Sequence, residues 1–154
     1  MPLDYSAEPQ KLMPNYESEF YVCEDLTSDT PVWTPVMGVT NIDNNFDPTT
    51  LTRAYYNDNG AQRDYLIGFK FTVSVSGDRD LNDEGQNLLF KAAKIFATGT
   101  DRRIKVKYLT EEFEITGICN QGYGIAKNGE ALEFATFDLE FSFQGEPEVT
   151  SLIT

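Results

Sequence analysis

Two stretches of strict alternation constrain the fold of this sequence more than any other feature. Phe69–Ser76 (FKFTVSVS) alternates Phe and Val with Lys, Thr and Ser, and Thr136–Phe143 (TFDLEFSF) alternates Phe and Leu with Thr, Asp, Glu and Ser. A period of two places apolar side chains on one face of a strand and polar side chains on the other. Antiparallel sheets commonly pack one such face on a core and leave the other in water. What the small, polar face does is therefore the question that the sequence raises.

The chain of 154 residues is long enough for one domain with a sizeable core. Short alternating segments predict a mainly β (α+β) fold: an antiparallel β-sandwich or barrel of six or seven strands with one flanking α-helix. We expect an extended N-terminal arm over residues 1–16, which are rich in proline, a β domain over 17–144 and a C-terminal arm over 145–154.

Two segments interrupt the predicted strands. Residues 47–64 are rich in Thr, Asn and Asp and are predicted to form a long loop, with a turn at Asn59-Gly60. A helix is predicted over 81–98, because its apolar residues recur at helical spacing and Asp80 or Asn82 can cap its start.

Composition excludes several classes of function. The chain has no His, which removes the commonest general base and the commonest metal ligand, and it has only two Cys. Its net charge of −13 argues against a surface that binds nucleic acid, since phosphate neutralisation needs clustered Lys and Arg. We predict no cofactor and no catalytic or metal-binding residue. Neither a signal peptide nor a membrane anchor is expected.

Acidic motifs are weak signals of chemistry here. Asp80, Asn82 and Glu84 precede Gly85 as in the start of a calcium-binding EF-hand loop, but the twelfth position is Lys91 and not Glu. Helix capping explains the same residues. The carboxylate pairs Glu112/Glu114 and Asp138/Glu140 could serve an acid hydrolase, yet a solvated acidic sheet face is the simpler interpretation.

The predicted loop carries residue types that anchor contacts between proteins. Five candidate contact residues lie together there: Arg53, Tyr55, Tyr56, Asn57 and Asp58. Adjacent Tyr and Arg side chains are typical of binding hot spots. An alternative hypothesis is a β-sandwich binding module that uses the Tyr55/Tyr56 loop to hold a carbohydrate or a protein.

The order of these features resembles the major tail tube proteins of long-tailed bacteriophages. Their turn-to-helix signature, SG.RD..D..Q, is similar to Ser76-Gly77-Asp78-Arg79-Asp80 with Asp83 and Gln86. The resemblance covers about residues 17–144. Related folds occur in contractile tails, in phage-like bacteriocins and in type VI secretion tubes.

The resemblance implies a function for the polar face. Six subunits would form a ring in which each contributes strands to one continuous β-barrel, and rings would stack into a hollow tube. The helix would pack on the outer side of the sheet, the long loop would reach the neighbouring ring, and the terminal arms would extend the contacts between subunits.

The polar side chains of the inner strands would then line the channel. Our candidates for lining residues are Thr72, Ser74, Asp138, Glu140 and Ser142, with Glu112 and Glu114 in addition. Lys70 departs from an acidic lining, and we expect it at a ring boundary beside an acidic neighbour. A negative channel repels phosphate, so double-stranded DNA would slide through without specific binding. A barrel closed between subunits would also remove exposed sheet edges.

These implications complete the prediction. The chain is expected to be a non-enzymatic structural subunit of a virion tail, made in the host cytoplasm. Its partners would be other copies of itself, a tape-measure protein, and a tail terminator or baseplate proteins.

Overall fold

The computed structural model describes residues 12–124 and 131–153. Their strands are β1 (Glu19–Cys23), β2 (Thr34–Pro35), β3 (Val39–Ala54), β4 (Gln62–Asp78), β5 (Arg103–Leu109), β6 (Phe113–Gln121), β7 (Thr136–Phe143) and β8 (Glu148–Ser151). The helix α1 spans Glu84–Leu89, and short 3-10 turns occupy Asn15–Glu17, Tyr56–Asp58, Ala92–Lys94 and Gly99–Arg102.

The strands form a single open antiparallel sheet in the order β2-β1-β5-β6-β7-β4-β3, with β8 paired to β6. The predicted mainly β, antiparallel fold with few helices is therefore confirmed. A hairpin turn predicted at Lys127-Asn128-Gly129 lies outside the described residues.

The sheet curls around its own core. Phe20 on β1 and Phe141 on β7 have ring centroids 5.0 Å apart, although two strands, β5 and β6, separate them in the sheet. In a flat sheet, three strand spacings of about 4.8 Å would keep them about 14 Å apart. The inner face is apolar on every central strand and includes Val22, Val73 and Leu139, all fully buried.

The predicted loop over 47–64 is wrong, because most of this segment is a two-stranded ribbon. β3 continues to Ala54 and pairs with β4 down to Gln62. The ribbon is exposed on both faces for most of its length, so its sequence carries no alternation that would mark it as strand. The predicted turn is confirmed: Asn59 and Gly60 adopt φ of 56° and 81°, the left-handed region that a tight turn requires.

The predicted helix over 81–98 is also wrong in extent. α1 begins after Asp83, whose carboxylate accepts the Gln86 N–H at 3.0 Å, and ends at Leu89. The Leu89 carbonyl accepts the Gln121 side-chain amide at 2.6 Å, so a side chain replaces the next helical turn. Phe96, near the C-terminal end of the predicted helix, is 87% exposed.

The C-terminal arm predicted over 145–154 is partly a strand of the domain's own sheet. Glu148–Ser151 forms β8 and pairs with the first half of β6, and the Leu152 N–H donates to the Glu112 carbonyl at 2.9 Å. Of the predicted N-terminal arm, residues 1–11 lie outside the described part, and Asn15–Glu17 forms a 3-10 turn.

Gln86 explains why the signature residues occur together. Its side chain is wholly buried and makes four hydrogen bonds. The amide oxygen accepts from Asp80 N at 2.8 Å and from Arg79 Nη1 at 3.2 Å. The amide nitrogen donates to the carbonyls of Met37 and Asp78 at 2.5 and 3.0 Å. One glutamine thus joins the start of β3, the end of β4 and α1.

Close backbone approach explains the glycines of the same region. A Cβ on Gly77 would lie 2.1 Å from the Gly38 carbonyl oxygen, and one on Gly85 would lie 2.2 Å from the Pro35 carbonyl oxygen. Gly38 itself has φ of 76°, which lets the chain bend from β2 into β3. The signature is therefore a packing motif that fixes α1 against the sheet.

Candidate functional site

The strand register brings five of the predicted lining residues together. Thr72 pairs with Ser142 and Ser74 with Glu140 across β4 and β7, and Asp138 pairs with Ser76 in the next row. Directly paired residues of an antiparallel sheet point to the same side. These side chains therefore form one continuous surface, opposite the core, which we call the polar face.

Two further strands extend the polar face with residues that the sequence analysis did not select. Asn41, Asp43 and Asn45 on β3 pair with Ser76, Ser74 and Thr72, and Asn120 on β6 pairs with Ser142. Asn41, Asp43 and Asn45 alternate with Ile42, which is the pattern of a strand with one polar side. The polar residue Asn44 stands where this pattern requires an apolar one and so weakens it.

Most side chains of the polar face are small, and most of its charged residues are acidic. Thr72 is buried and Ser74 and Ser142 are half-buried, whereas Asp138 and Glu140 are exposed. All of these residues except Thr72 border an open groove of about 700 Å³, which Arg103 also lines. Arg103 pairs with Asn120 on the neighbouring strand and contributes a positive charge at the margin of the face.

Glu112 and Glu114 do not join this cluster. Glu114 shares the side of the polar face but lies six residues before Asn120, about 20 Å away along β6. It forms an ion pair with Lys107 at 3.4 Å. Glu112 lies in the turn between β5 and β6, where the Thr110 hydroxyl accepts its N–H at 3.2 Å.

A buried arginine shapes one border of the groove. The Arg102 guanidinium donates to the carbonyls of Lys94, Ala97 and Gly122 and stacks on the Tyr123 ring at 3.4 Å. Burial lowers the pKa of this guanidinium from its ordinary value. The side chain holds segment 94–102 against the end of β6 and is thus structural.

The second candidate region is the ribbon, which we define as residues 46–71. β7 pairs with β4 only from Thr72 onward, so in the described part of the chain Gln62–Phe71 pairs with β3 alone. Ten residues of strand span about 30 Å at a rise of ~3.3 Å each. The ribbon therefore projects well beyond the sheet.

All five predicted contact residues lie at or next to the ribbon tip. Tyr56 is 103% exposed, whereas the pKa of Tyr55 is raised by its hydrogen bond with Tyr65.

Arg63 donates to Asp58 at 2.6 Å, which fixes the turn. Arg53 faces Arg63 across the ribbon, and its guanidinium contacts the Thr52 carbonyl at 3.4 Å. Asn57 sits in the 3-10 turn between Tyr56 and Asp58.

The described residues carry neither a metal-binding cluster nor a membrane-spanning helix. Among them, no group of three or more His, Cys, Asp or Glu side chains is arranged to hold a metal ion. None of the helices in residues 12–124 and 131–153 is long and apolar enough to cross a membrane.

Comparison with solved structures places this architecture among known folds. One similar chain comes from the tail of an empty gene transfer agent particle with C6 symmetry: the TM-score is 0.66 at 13% identity, over 90% of this chain and 99% of that one. The chain shares the fold of a gene transfer agent tail protein. A second chain, from the virion of a native gene transfer agent particle, gives a TM-score of 0.60 at 15% identity with the same coverage. No protein-family model and no curated protein matches the sequence.

These similarities agree with the fold that the tail tube resemblance implied. They span nearly the whole of each solved chain. At such low identity they establish fold alone.

Proposed function

We propose that this protein is the structural subunit of a tail tube. Copies assemble into six-membered rings, the polar faces of β3, β4 and β7 line a shared channel, and rings stack through the ribbon. The observation that carries the proposal is the register that aligns Thr72, Ser74, Asp138, Glu140 and Ser142 on one side of a sheet whose other side is core. The similar solved chain that belongs to a tail with C6 symmetry supports the same assembly.

The electrostatics of the polar face suit a conduit for DNA. Asp43, Asp138 and Glu140 put three carboxylates on β3 and β7, and the cations beside them are Lys70, which pairs with Asp47, and Arg103 at the margin. Phosphates passing within a Debye length of about 8 Å at physiological salt are repelled and find few cationic anchors. Small Thr and Ser side chains between the carboxylates keep the wall smooth. The role is non-enzymatic and needs no cofactor.

The subunit works in the virion tail after synthesis in the host cytoplasm. A tape-measure protein occupies the channel before DNA, and a tail terminator or baseplate proteins bind the tube ends.

Electron microscopy of the purified protein tests the assembly. We expect rings or tubes with six-fold symmetry. Monodisperse monomers that bind glycans through Tyr55 and Tyr56 would instead support a binding module. Turnover lost in Glu114→Gln or Asp138→Asn would support an acid hydrolase.

Labelling of matched cysteine variants tests which face lines the channel. Glu140→Cys places a thiol on the polar face, and Glu84→Cys places one on α1, which packs on the core side of the sheet; each removes one exposed carboxylate. The native cysteines, Cys23 and Cys119, are buried. In tubes, a maleimide on a bulky polymer should label Glu84→Cys and spare Glu140→Cys, whereas dissociated subunits should label at both. Equal labelling in tubes would refute a channel-facing polar face.

Deletion of the ribbon tip tests stacking. Removing Thr52–Ala61 takes away the turn and leaves the core strands intact. The shortened protein should keep its circular dichroism spectrum but fail to elongate into tubes. Tubes of normal length would show that the tip has no role in stacking.

A further inference from the structure

The two sides of the ribbon differ in character. Phe46, Pro48, Leu66 and Phe69 share the side that continues the core face of β4, and the rings of Phe46 and Phe69 stack at 5.2 Å. Yet Phe46, Leu66 and Phe69 are 54%, 63% and 42% exposed. The other side, with the cross-strand pairs Asp47/Lys70 and Arg53/Arg63, continues the polar face.

An uncovered apolar stripe on a two-stranded ribbon calls for a partner. Isolated hairpins are marginally stable in water, and contiguous exposed apolar surface on a soluble protein marks an interaction site. The stripe continues the core face of the sheet. A partner that covers it must therefore provide the apolar packing that α1 and β1 provide over the rest of that face.

The charge distribution indicates that the partner is a second copy of this chain. The ribbon holds three acidic residues (Asp47, Asp58, Asp64) and three basic ones (Arg53, Arg63, Lys70), so its net charge is zero. The whole charge of −13 therefore lies on the rest of the chain. Copies of so acidic a protein repel one another, and the neutral ribbon is the part that can approach another copy without that cost.

The opposite end of the sheet also carries exposed apolar side chains. Phe96, Leu132 and Phe134 are 87%, 102% and 87% exposed. They belong to the segments that lead into β5 and β7, at the end where β4 stops and away from the ribbon. Unlike surfaces at opposite ends of one molecule make a head-to-tail contact, which propagates instead of closing as a dimer.

We propose that the apolar side of the ribbon docks on the Phe96–Phe134 end of a second copy in the same orientation. The ribbon then becomes part of the channel wall at the junction between rings, with its Asp47/Lys70 side on the channel. This inference rests on the proposed function, since it requires copies that stack with one polarity.

Cross-linking between introduced cysteines tests the contact. Leu66→Cys combined with Phe134→Cys, treated under assembly conditions with a short bismaleimide, should give a ladder of covalent multimers. Each single variant should stay monomeric on a denaturing gel. The matched control combines Leu66→Cys with Tyr16→Cys, because Tyr16 is 84% exposed and lies at the ribbon end. That pair should give no ladder.

Two outcomes would overturn the inference while the proposed function stands. One is a tube, intact by microscopy, in which the Leu66/Phe134 pair yields only monomers. The other is a ladder from the Leu66/Tyr16 pair alone. A wild-type protein that forms neither rings nor tubes would instead overturn the proposed function and this inference with it.

A pair of substitutions gives a second, independent measurement. Leu66→Gln changes the apolar side of the ribbon, and Leu51→Gln makes the same change on its polar side. The critical concentration for tube assembly should rise about tenfold or more for Leu66→Gln, the scale set by one buried leucine. It should change about twofold or less for Leu51→Gln. Equal effects would contradict the assignment of the two sides.

Discussion

Replacing Gln86 by Leu should lower the free energy of unfolding of the domain substantially. The substitution removes four hydrogen bonds but changes the side-chain volume little. Three of the partners are backbone groups: the Asp80 N–H and the carbonyls of Met37 and Asp78. Each buried hydrogen bond lost contributes about 0.5–1.5 kcal/mol, and a partner left unsatisfied costs about 1–3 kcal/mol. Met37, Asp78 and Asp80 are exposed residues, so we expect water to satisfy most of the partners that remain. Four lost bonds at about 0.5 kcal/mol each and one unsatisfied partner at about 1 kcal/mol then give a loss of about 3 kcal/mol.

Urea denaturation followed by far-ultraviolet circular dichroism measures this loss. The protein must be dilute enough to stay unassembled, because association adds to apparent stability. Gln144→Leu is the matched control: it makes the same chemical change at an exposed site, where the side-chain amide donates only to the Ser142 carbonyl at 3.1 Å. The control should shift the free energy of unfolding by about 0.5 kcal/mol or less. If Gln86→Leu falls within that same margin, the role of Gln86 in joining β3, β4 and α1 is refuted.

Two further predictions concern packing and thiol chemistry. Gly77→Ala should destabilise by about 1–3 kcal/mol, because its Cβ would collide with the Gly38 carbonyl, whereas Gly68→Ala, with open space around it, should be neutral in the same urea assay. Equal effects of the two would contradict the close approach. Cys119 is fully buried, and burial raises the pKa of its thiol, so the thiol stays neutral at pH 8. Maleimide should therefore label Cys119 no faster than the protein unfolds, as measured by mass spectrometry. Rapid labelling of native protein would show that this site opens locally.

The fold class could be predicted from the sequence because its central strands are half-buried. In β4 and β7, Val73, Val75, Leu139 and Phe141 alternate with small polar residues, and this pattern depends on burial on one side only. The same reasoning placed the five central polar-face residues on one side. The turn position of Glu112 could not be predicted, because the strand pattern around Glu114 does not reveal where β6 begins.

The errors have two physical causes. Residues 47–64 are predicted as a loop because both faces of this part of the ribbon are exposed, so no periodicity marks it, and only pairing between β3 and β4 makes it a strand. The predicted helix is too long because side chains of Gln121 and Arg102 donate to carbonyls that a longer helix would have satisfied itself. Gln121 lies 32 residues from Leu89, so no local pattern could reveal the bond that ends the helix.

The ribbon also has a consequence for the timing of assembly. Its residues are exposed along most of its length, so in a free subunit we expect this part to open more often than the core strands and to exchange its amide hydrogens faster. In the proposed tube, docking would carry the entropy cost of ordering the ribbon, which would slow the first contacts between solitary subunits. A growing end that already holds ordered neighbours would offer the covering surface in advance, so elongation would be favoured over spontaneous initiation.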